Sequence, residues 1–237
     1  MGIFNKNKKE KFSGREYFLD FTPTEISLDI DSDEIEFDVS NTFKVVTSNN
    51  LIKTDFRSGD GKTFKIRQDE GKNPLPTKTF IYFPENHEFT KVSLNLRSGN
   101  ITVNNLETKI LEIQVHNGNV TLNNVSSTNS SSVVIDLGNF YVKDGSFVNA
   151  NACLMKGNIE ATTNYFGECT FYDAQGDVGI RLKRSLKEYL ISCEVETGHV
   201  GLDGMRGTTK LRSGKKDAAH TIDAFVKQGN CTVNYFE

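Results

Sequence analysis

The sequence predicts an all-β protein, a single-chain β-solenoid with coils of about 19–20 residues and irregular coils at its amino-terminal side. Three observations support this prediction. A glycine followed by a turn residue recurs seven times, and apolar residues alternate with other residues on both sides of each glycine. The composition, with 19 Gly, 4 Pro and no Trp in 237 residues, suits strands joined by tight turns better than helices.

The period is set by glycines separated by 19, 20, 19, 19, 22 and 31 residues. The last interval is lengthened by the polar segment LRSGKKDAAH, which we interpret as a loop inserted in one coil. A fixed period near 20 residues indicates coils that stack and share one continuous core. The repeated glycines are Gly99, Gly118, Gly138, Gly157, Gly176, Gly198 and Gly229.

The core is predicted from the slots three, five and seven residues before each glycine, and two and four residues after it. Nearly all of these slots hold apolar residues, and strand residues alternate between two faces. Cys169, Cys193 and Cys231 fall in such slots. With Cys153, they show neither metal-ligand spacing nor the density of a disulfide scaffold, so we interpret the cysteines as small buried hydrophobic residues.

A turn-forming residue follows each glycine, and these residues are predicted to stack into a ladder whose amides bond along the solenoid. A calcium ladder is the alternative, although calcium prefers several carboxylates and only Asp177 is charged. A second corner is predicted five or six residues later, as at Asn104 and Asn105. The ladder residues are Asn100, Asn119, Asn139, Asn158, Asp177, His199 and Asn230.

The chain divides into three parts that form one domain and a tail. Residues 1–15 are expected to be a disordered basic arm, residues 16–91 irregular amino-terminal coils and a cap, and residues 92–237 a regular solenoid of seven coils. The Ser-rich segment at 126–132 is expected to be a flexible insertion between coils.

Charge and motifs point to no particular chemistry. The 28 basic and 31 acidic residues give a net charge of −3, which provides no general electrostatic reason to bind nucleic acid. The four histidines lie in unrelated contexts, and neither a cofactor, a metal site nor a catalytic residue is predicted. The alternative is a carbohydrate-binding or carbohydrate-cleaving β-helix, for which Asp173 and Asp177, on either side of the Gly176 turn, are the candidate carboxylates.

A candidate interaction strip emerges four residues before the glycines, where side chains should face solvent. In the middle coils this position holds apolar residues, with others two residues along or just beyond the turn. Such a strip is either an interface or is covered by the amino-terminal coils or an inserted loop. Its predicted members are Val134, Tyr141, Cys153, Met155, Tyr172 and Phe225.

The end of the sequence suggests a second contact. The segment GNCTVNYFE stops in mid-coil, so the last coil is expected to present strand edges. Either Tyr235 and Phe236 fold over this end as a cap, or a second copy of the chain covers it and makes a homodimer.

The coil pattern in LNLRSGNITVNNLETK and IQVHNGNVTLNNV, with the preceding KTFIYFPENHEFTKVSLN, resembles the putative-adhesin or toast-rack family of bacterial β-solenoid domains. The resemblance covers roughly residues 25–237. It implies a non-enzymatic module for structure or protein interaction, linked to the bacterial cell envelope, with an unknown protein or cell-surface partner. The sequence has no signal peptide and no membrane span, so by itself it predicts a cytoplasmic protein.

Overall fold

The computed structural model of the chain describes residues 14–19, 22–57, 63–69, 76–183 and 186–235, and these are almost entirely strand. No helix in them is long and apolar enough to cross a bilayer. A short 3₁₀ helix spans Leu186–Glu188. The strands are β1 (Arg15–Phe18), β2 (Glu25–Ser32), β3 (Glu34–Ser40), β4 (Lys44–Thr47), β5 (Ile52–Arg57), β6 (Thr63–Gln68), β7 (Lys78–Pro84), β8 (Glu88–Ser98), β9 (Ile101–Asn104), β10 (Glu107–Asn117), β11 (Val120–Asn123), β12 (Ser126–Leu137), β13 (Phe140–Lys156), β14 (Ile159–Gln175), β15 (Val178–Leu182), β16 (Tyr189–Thr197), β17 (Val200–Leu202), β18 (Met205–Gly207), β19 (Lys210–Ser213), β20 (His220–Gln228) and β21 (Cys231–Tyr235).

The regular coils turn at the predicted corner after glycine, and those of Gly99 and Gly118 turn again at a left-handed residue. Asn105 and Asn124 hold this second corner with φ of 54° and 53°. The long strand before the Gly-Asn corner belongs to one side of the solenoid, which we call sheet one. The short strand after the corner belongs to another side, which we call sheet two. The all-β solenoid prediction is confirmed.

The strands stack in parallel through most of the molecule. Sheet one runs β6, β2, β8, β10, β12, β13, β14, β20 and β16. Sheet two runs β7, β3, β9, β11, β13, β14, β15, β21 and β17. Strands β13 and β14 are long enough to take part in both sheets.

The last two coils stack in the opposite order to their order in the sequence. Strand β20 lies between β14 and β16, and β21 lies between β15 and β17. The expectation that the carboxyl-terminal coil forms an open end is therefore wrong. The chain runs to the outermost coil first, forms β18 and β19 there, and returns to fill the gap. The 31-residue interval between Gly198 and Gly229 supplies this detour.

At the amino-terminal end, too, the outermost coil is not the terminal one in the sequence. Strand β2 lies between β6 and β8, and β3 lies between β7 and β9. In this coil Asp33 and Glu34 occupy the corner in place of Gly and Asn. Asn100 Nδ2 donates to both carboxylate oxygens of Glu34, at 3.0 and 3.1 Å, so the ladder begins at Glu34.

Antiparallel strands cover both ends of the stack. At the amino-terminal end β5 pairs with β6, and β4 pairs with β7 and β1. At the other end β19 pairs with β16, and β18 pairs with β17. Since an uncovered parallel edge would expose unpaired backbone groups, these strands take the place of a separate cap.

Two segments predicted to be irregular form strands. Residues 126–132 lie in β12, where Ser127 Oγ donates to the carbonyl oxygen of Ser130 at 2.9 Å and stabilises a bulge. Part of LRSGKKDAAH forms β19, because its backbone pairs with β16. Arg15, the last residue of the predicted arm, lies in β1; residues 1–13 lie outside the described residues, as does Gly59.

The core is one continuous cluster of buried apolar side chains along the whole stack. The predicted inward slots are filled as expected, with Leu94, Ile113 and Leu154 no more than 2 % exposed. Cys169, Cys193 and Cys231 are likewise buried. The prediction that these three thiols lie in the core is confirmed.

Candidate functional site

The Gly-Asn corner determines which side chains face outward on sheet one. Gly118 has φ of 151°, and a Cβ atom there would lie 1.5 Å from the carbonyl oxygen of Gly99. Only glycine allows neighbouring coils to approach so closely. The backbone amide of Asn119 donates to Oδ1 of Asn100 at 2.8 Å, and the amide of Asn139 donates to Oδ1 of Asn119 at 2.9 Å. This ladder holds the coils in one register.

The ladder continues through the exchanged coils. The amide of Asn230 donates to Oδ1 of Asp177 at 2.7 Å, and the amide of His199 donates to Oδ1 of Asn230 at 3.1 Å. The predicted ladder is therefore present, in stack order instead of sequence order. Because its oxygen atoms accept hydrogen bonds from protein N–H groups, each rung stabilises the next coil.

Four apolar side chains lie side by side on the outer face of sheet one. Val134 pairs with Cys153, Cys153 with Tyr172, and Tyr172 with Phe225. The rings of Tyr172 and Phe225 stack with centroids 5.7 Å apart and planes inclined by 13°. We call this row, together with Met155 two residues further along, the apolar strip.

The exchange of the last two coils makes the strip longer. In sequence order, Glu194 would lie next to Tyr172. The structure instead places Phe225 there and moves Glu194 to the outer side of Phe225, where it pairs with Lys210 at 2.5 Å. The strip is thus bounded by an ion pair at one end and by Gln114 at the other.

The strip is partly accessible, since Val134, Cys153, Tyr172 and Phe225 are half-buried in the sheet. Its strands pack mainly against their neighbours in the stack, and Met155 is 54 % exposed. Burial, followed by the negative charges of Asp136 and Asp173, raises the pKa of the Cys153 thiol. This thiol is therefore protonated near neutral pH and contributes an apolar surface instead of a reactive group.

Tyr141 does not belong to the strip, and its predicted grouping with Val134 was wrong. It lies in β13 beyond the Gly138 corner, where it pairs with Thr121 and Glu160 on sheet two. Since the corner turns the chain from one side of the solenoid to the next, residues on either side of it face different directions.

The predicted end contact also lies elsewhere. Tyr235 pairs with Leu182 in β15, and its strand is held on the other side by β17. It therefore does not cover the end of the stack, which is formed by β16 to β19. Phe236 lies outside the described residues.

The two candidate carboxylates have different environments. Asp173 is fully buried in an inward slot, where its Oδ1 accepts the amide of Gln175 at 3.0 Å and its Oδ2 has no partner. Burial, with a smaller effect from the charge of Asp177, raises the pKa of Asp173 to about 6. Asp177 is exposed and holds the ladder. The two therefore do not share an open face.

A groove on sheet two was not predicted from the sequence. It has a volume of about 970 Å³ and lies between Glu160 on β14 and the β17–β18 hairpin. Gly179 and Gly201 lie in its floor, on either side of Thr232. Glycine in an outward strand slot was the available signal, because it leaves space where a side chain would project.

The chain is similar to solved structures from several bacteria. A putative cell adhesion protein from Clostridium sporogenes is 16 % identical, with a TM-score of 0.40, and the match covers 94 % of this chain and 99 % of that one. A putative adhesin from Bacteroides fragilis is 14 % identical, with a TM-score of 0.47 and coverage of 96 % and 98 %. A putative adhesin from Parabacteroides distasonis is 12 % identical, with a TM-score of 0.46 and coverage of 94 % and 96 %.

The family assignment comes from the sequence. No curated protein matches the chain significantly. A family model described as Toastrack DUF4097 matches residues 2–234, nearly the whole chain. The chain therefore belongs to the Toastrack DUF4097 family.

Proposed function

We propose that this chain is a non-enzymatic, adhesin-like module of the cell envelope that associates with protein through the apolar strip. The observation that carries the proposal is the row from Val134 to Phe225, four apolar side chains aligned on an outer face. Contiguous apolar patches of this kind are uncommon on the free surface of monomers and are typical of interaction sites.

The occupant that fits the strip best is a second copy of the chain. On the outer face of β20, Phe225 is flanked by Asp223 on one side and Lys227 on the other. A two-fold axis that runs along the stack beside this row makes the facing strands antiparallel. It sets Asp223 of each copy opposite Lys227 of the other while Tyr172 and Phe225 meet at the centre. Such self-complementarity is what an isologous sheet-on-sheet contact requires.

Light scattering over a range of protein concentrations tests this dimer. We expect wild type to dimerise with increasing concentration and Tyr172→Asp to remain monomeric, because a carboxylate would be buried among apolar side chains. Tyr141→Asp is the matched control, since it changes an outward tyrosine on sheet two and should dimerise like wild type. A wild-type chain that stays monomeric throughout contradicts the proposal.

Charge exchange tests the geometry of the contact. Asp223→Lys should weaken the dimer by placing lysines opposite each other, and Lys227→Asp should do the same with carboxylates. The double variant restores opposite charges and should recover most of the wild-type association. Failure of the double variant to recover, with its thermal unfolding unchanged, would contradict the antiparallel arrangement.

Residence in the envelope is supported by the family resemblance of the coil sequences. Fractionation of the source cells with an antibody against the chain tests it directly. Recovery with the envelope fraction is expected, and recovery only with the cytosol argues against this part of the proposal. The positions of Asp173 and Asp177 do not favour cleavage, because glycoside hydrolysis needs two carboxyl groups on either side of an open site.

A further inference from the structure

The groove on sheet two is separate from the apolar strip and has a different chemical character. It crosses β14, β15, β21, β17 and β18. These five neighbouring strands are separated by four inter-strand spacings, so the groove is roughly 19 Å long. Its volume of about 970 Å³ is in the range of sites that hold an extended small ligand. Its lining is mostly polar or glycine.

The floor contains glycines that the backbone does not require. Neither Gly179 nor Gly201 is among the residues with positive φ. A Cβ atom on Gly179 would come no closer than 3.9 Å to any other atom, and one on Gly201 would make ordinary contacts from 3.4 Å. Glycine weakens a strand interior and often marks close approach of a ligand. Here both glycines keep the floor flat and open.

The walls carry charges of both signs that do not neutralise each other directly. Arg181 and Arg206 have no ion pair among the described residues, and neither does Glu160. Asp177 adds a second carboxylate at the corner side of the groove. The site therefore offers guanidinium donors and carboxylate acceptors together, with no excess of either charge.

From this geometry we propose that the groove binds a neutral oligosaccharide. Sugar hydroxyls both donate and accept hydrogen bonds, so they match a site with donors and acceptors in balance. A strongly anionic ligand would meet Glu160 and Asp177, and a lipid would find few apolar side chains. Tyr141, which pairs with Glu160, lies one strand beyond the groove in the same row and offers an aromatic ring on which an extended sugar chain can pack.

The floor also favours a sugar over a peptide. Strand β21 is hydrogen-bonded to β15 on one side and to β17 on the other, so its backbone groups are already used. A peptide that binds by strand addition needs a free sheet edge, which this floor does not provide. A ligand in the groove must be recognised by side chains, and an oligosaccharide displays its polar groups on its outside.

Binding is tested with an array of neutral oligosaccharides, followed by calorimetry with the strongest ligand. Gly179→Phe fills the floor without backbone strain and should abolish binding. Thr102→Phe, an outward residue of the same row far from the groove, is the matched control and should bind like wild type. Arg206→Gln should weaken binding about tenfold or more, because it removes a charged donor.

Thermal unfolding and the monomer–dimer equilibrium should be the same in all of these variants. Loss of ligand binding by the groove is thereby distinguished from unfolding and from loss of dimerisation through the strip. Absence of binding to every neutral oligosaccharide overturns the proposal. Preferential binding of a uronate oligosaccharide or of an acidic peptide, lost in Gly179→Phe, also overturns it, because the groove would then select charge.

Discussion

The middle coils and the carboxyl-terminal end are built from the same repeat but in a different chain order. From Gly99 to Gly157 each coil stacks directly on the one before it. After Gly176 the next corner in space is Gly229, and Gly198 follows. The repeat therefore specifies register within a coil, whereas stack order depends on the segments that connect the coils.

The most decisive test of this comparison is a crosslink between the exchanged coils. Tyr172→Cys combined with Phe225→Cys places two cysteines on directly paired residues of neighbouring strands, about 5 Å apart, within disulfide reach. We expect nearly complete intramolecular crosslinking on mild oxidation. Cys153→Ser serves as the background, since Cys153 also pairs with Tyr172. Peptide mapping under non-reducing conditions measures the product.

The control pair is Tyr172→Cys with Glu194→Cys. These residues lie two strands apart, about 10 Å, which a disulfide does not span. If the coils stacked in sequence order, this pair would crosslink and the first pair would not. That result would contradict the exchanged arrangement.

The next largest effect is expected at the glycines of the corner. Gly118→Ala drives a Cβ atom into the backbone of the neighbouring coil, so it should lower the free energy of unfolding by about 3 kcal/mol or more. Gly179→Ala meets open space and should be neutral or slightly stabilising, by up to about 1 kcal/mol. Denaturant unfolding compares the two, and equal destabilisation would show that Gly179 is also structural.

A smaller effect is expected from Asp173, a buried carboxyl group of the carboxyl-terminal coils. Its pKa is raised from 3.8 to about 6, so the folded protein binds this proton more tightly than the unfolded chain. Its contribution to stability is therefore greatest at a pH below the pKa of the unfolded chain, and it is lost as the pH rises toward 6. The loss is on the order of 2–3 kcal/mol.

Asp173→Asn removes this titration while leaving other groups unchanged. As the pH rises from about 4 to about 7, the free energy of unfolding of the variant should increase relative to that of wild type. Denaturant unfolding at each pH measures the difference. Asp33, whose pKa is also raised by burial, is present in both proteins, so its contribution cancels. A stability difference that does not change with pH would show that folding does not raise the pKa of Asp173.

Much of the regular part could be predicted because its signals are local. Alternation around Gly118 identifies inward residues, and Asn119 beside it identifies the ladder. The row of Val134, Cys153 and Tyr172 follows from a single repeat position, four residues before each corner glycine. Tyr141 was assigned to the wrong face because the angle between two sides of a coil is not expressed in any one-dimensional pattern.

The groove could not be predicted for a related reason. Gly179 and Gly201 are 22 residues apart and become near neighbours only because β21 lies between their strands. Arg206 reaches the same site through the hairpin of β17 and β18. Residue type alone does not distinguish a glycine that a corner requires from one that leaves space.

By itself, the sequence determined the strand content, the period, the corners and the inward faces, because each depends on residues adjacent along the chain. Tertiary structure alone decided the order of the last two coils, the neighbours of Phe225 and the position of the groove. The physical reason is that parallel strands with one hydrophobic pattern can pair equally well with several others. The choice among them is made by connecting segments, such as β18 and β19, and by the packing of the ends.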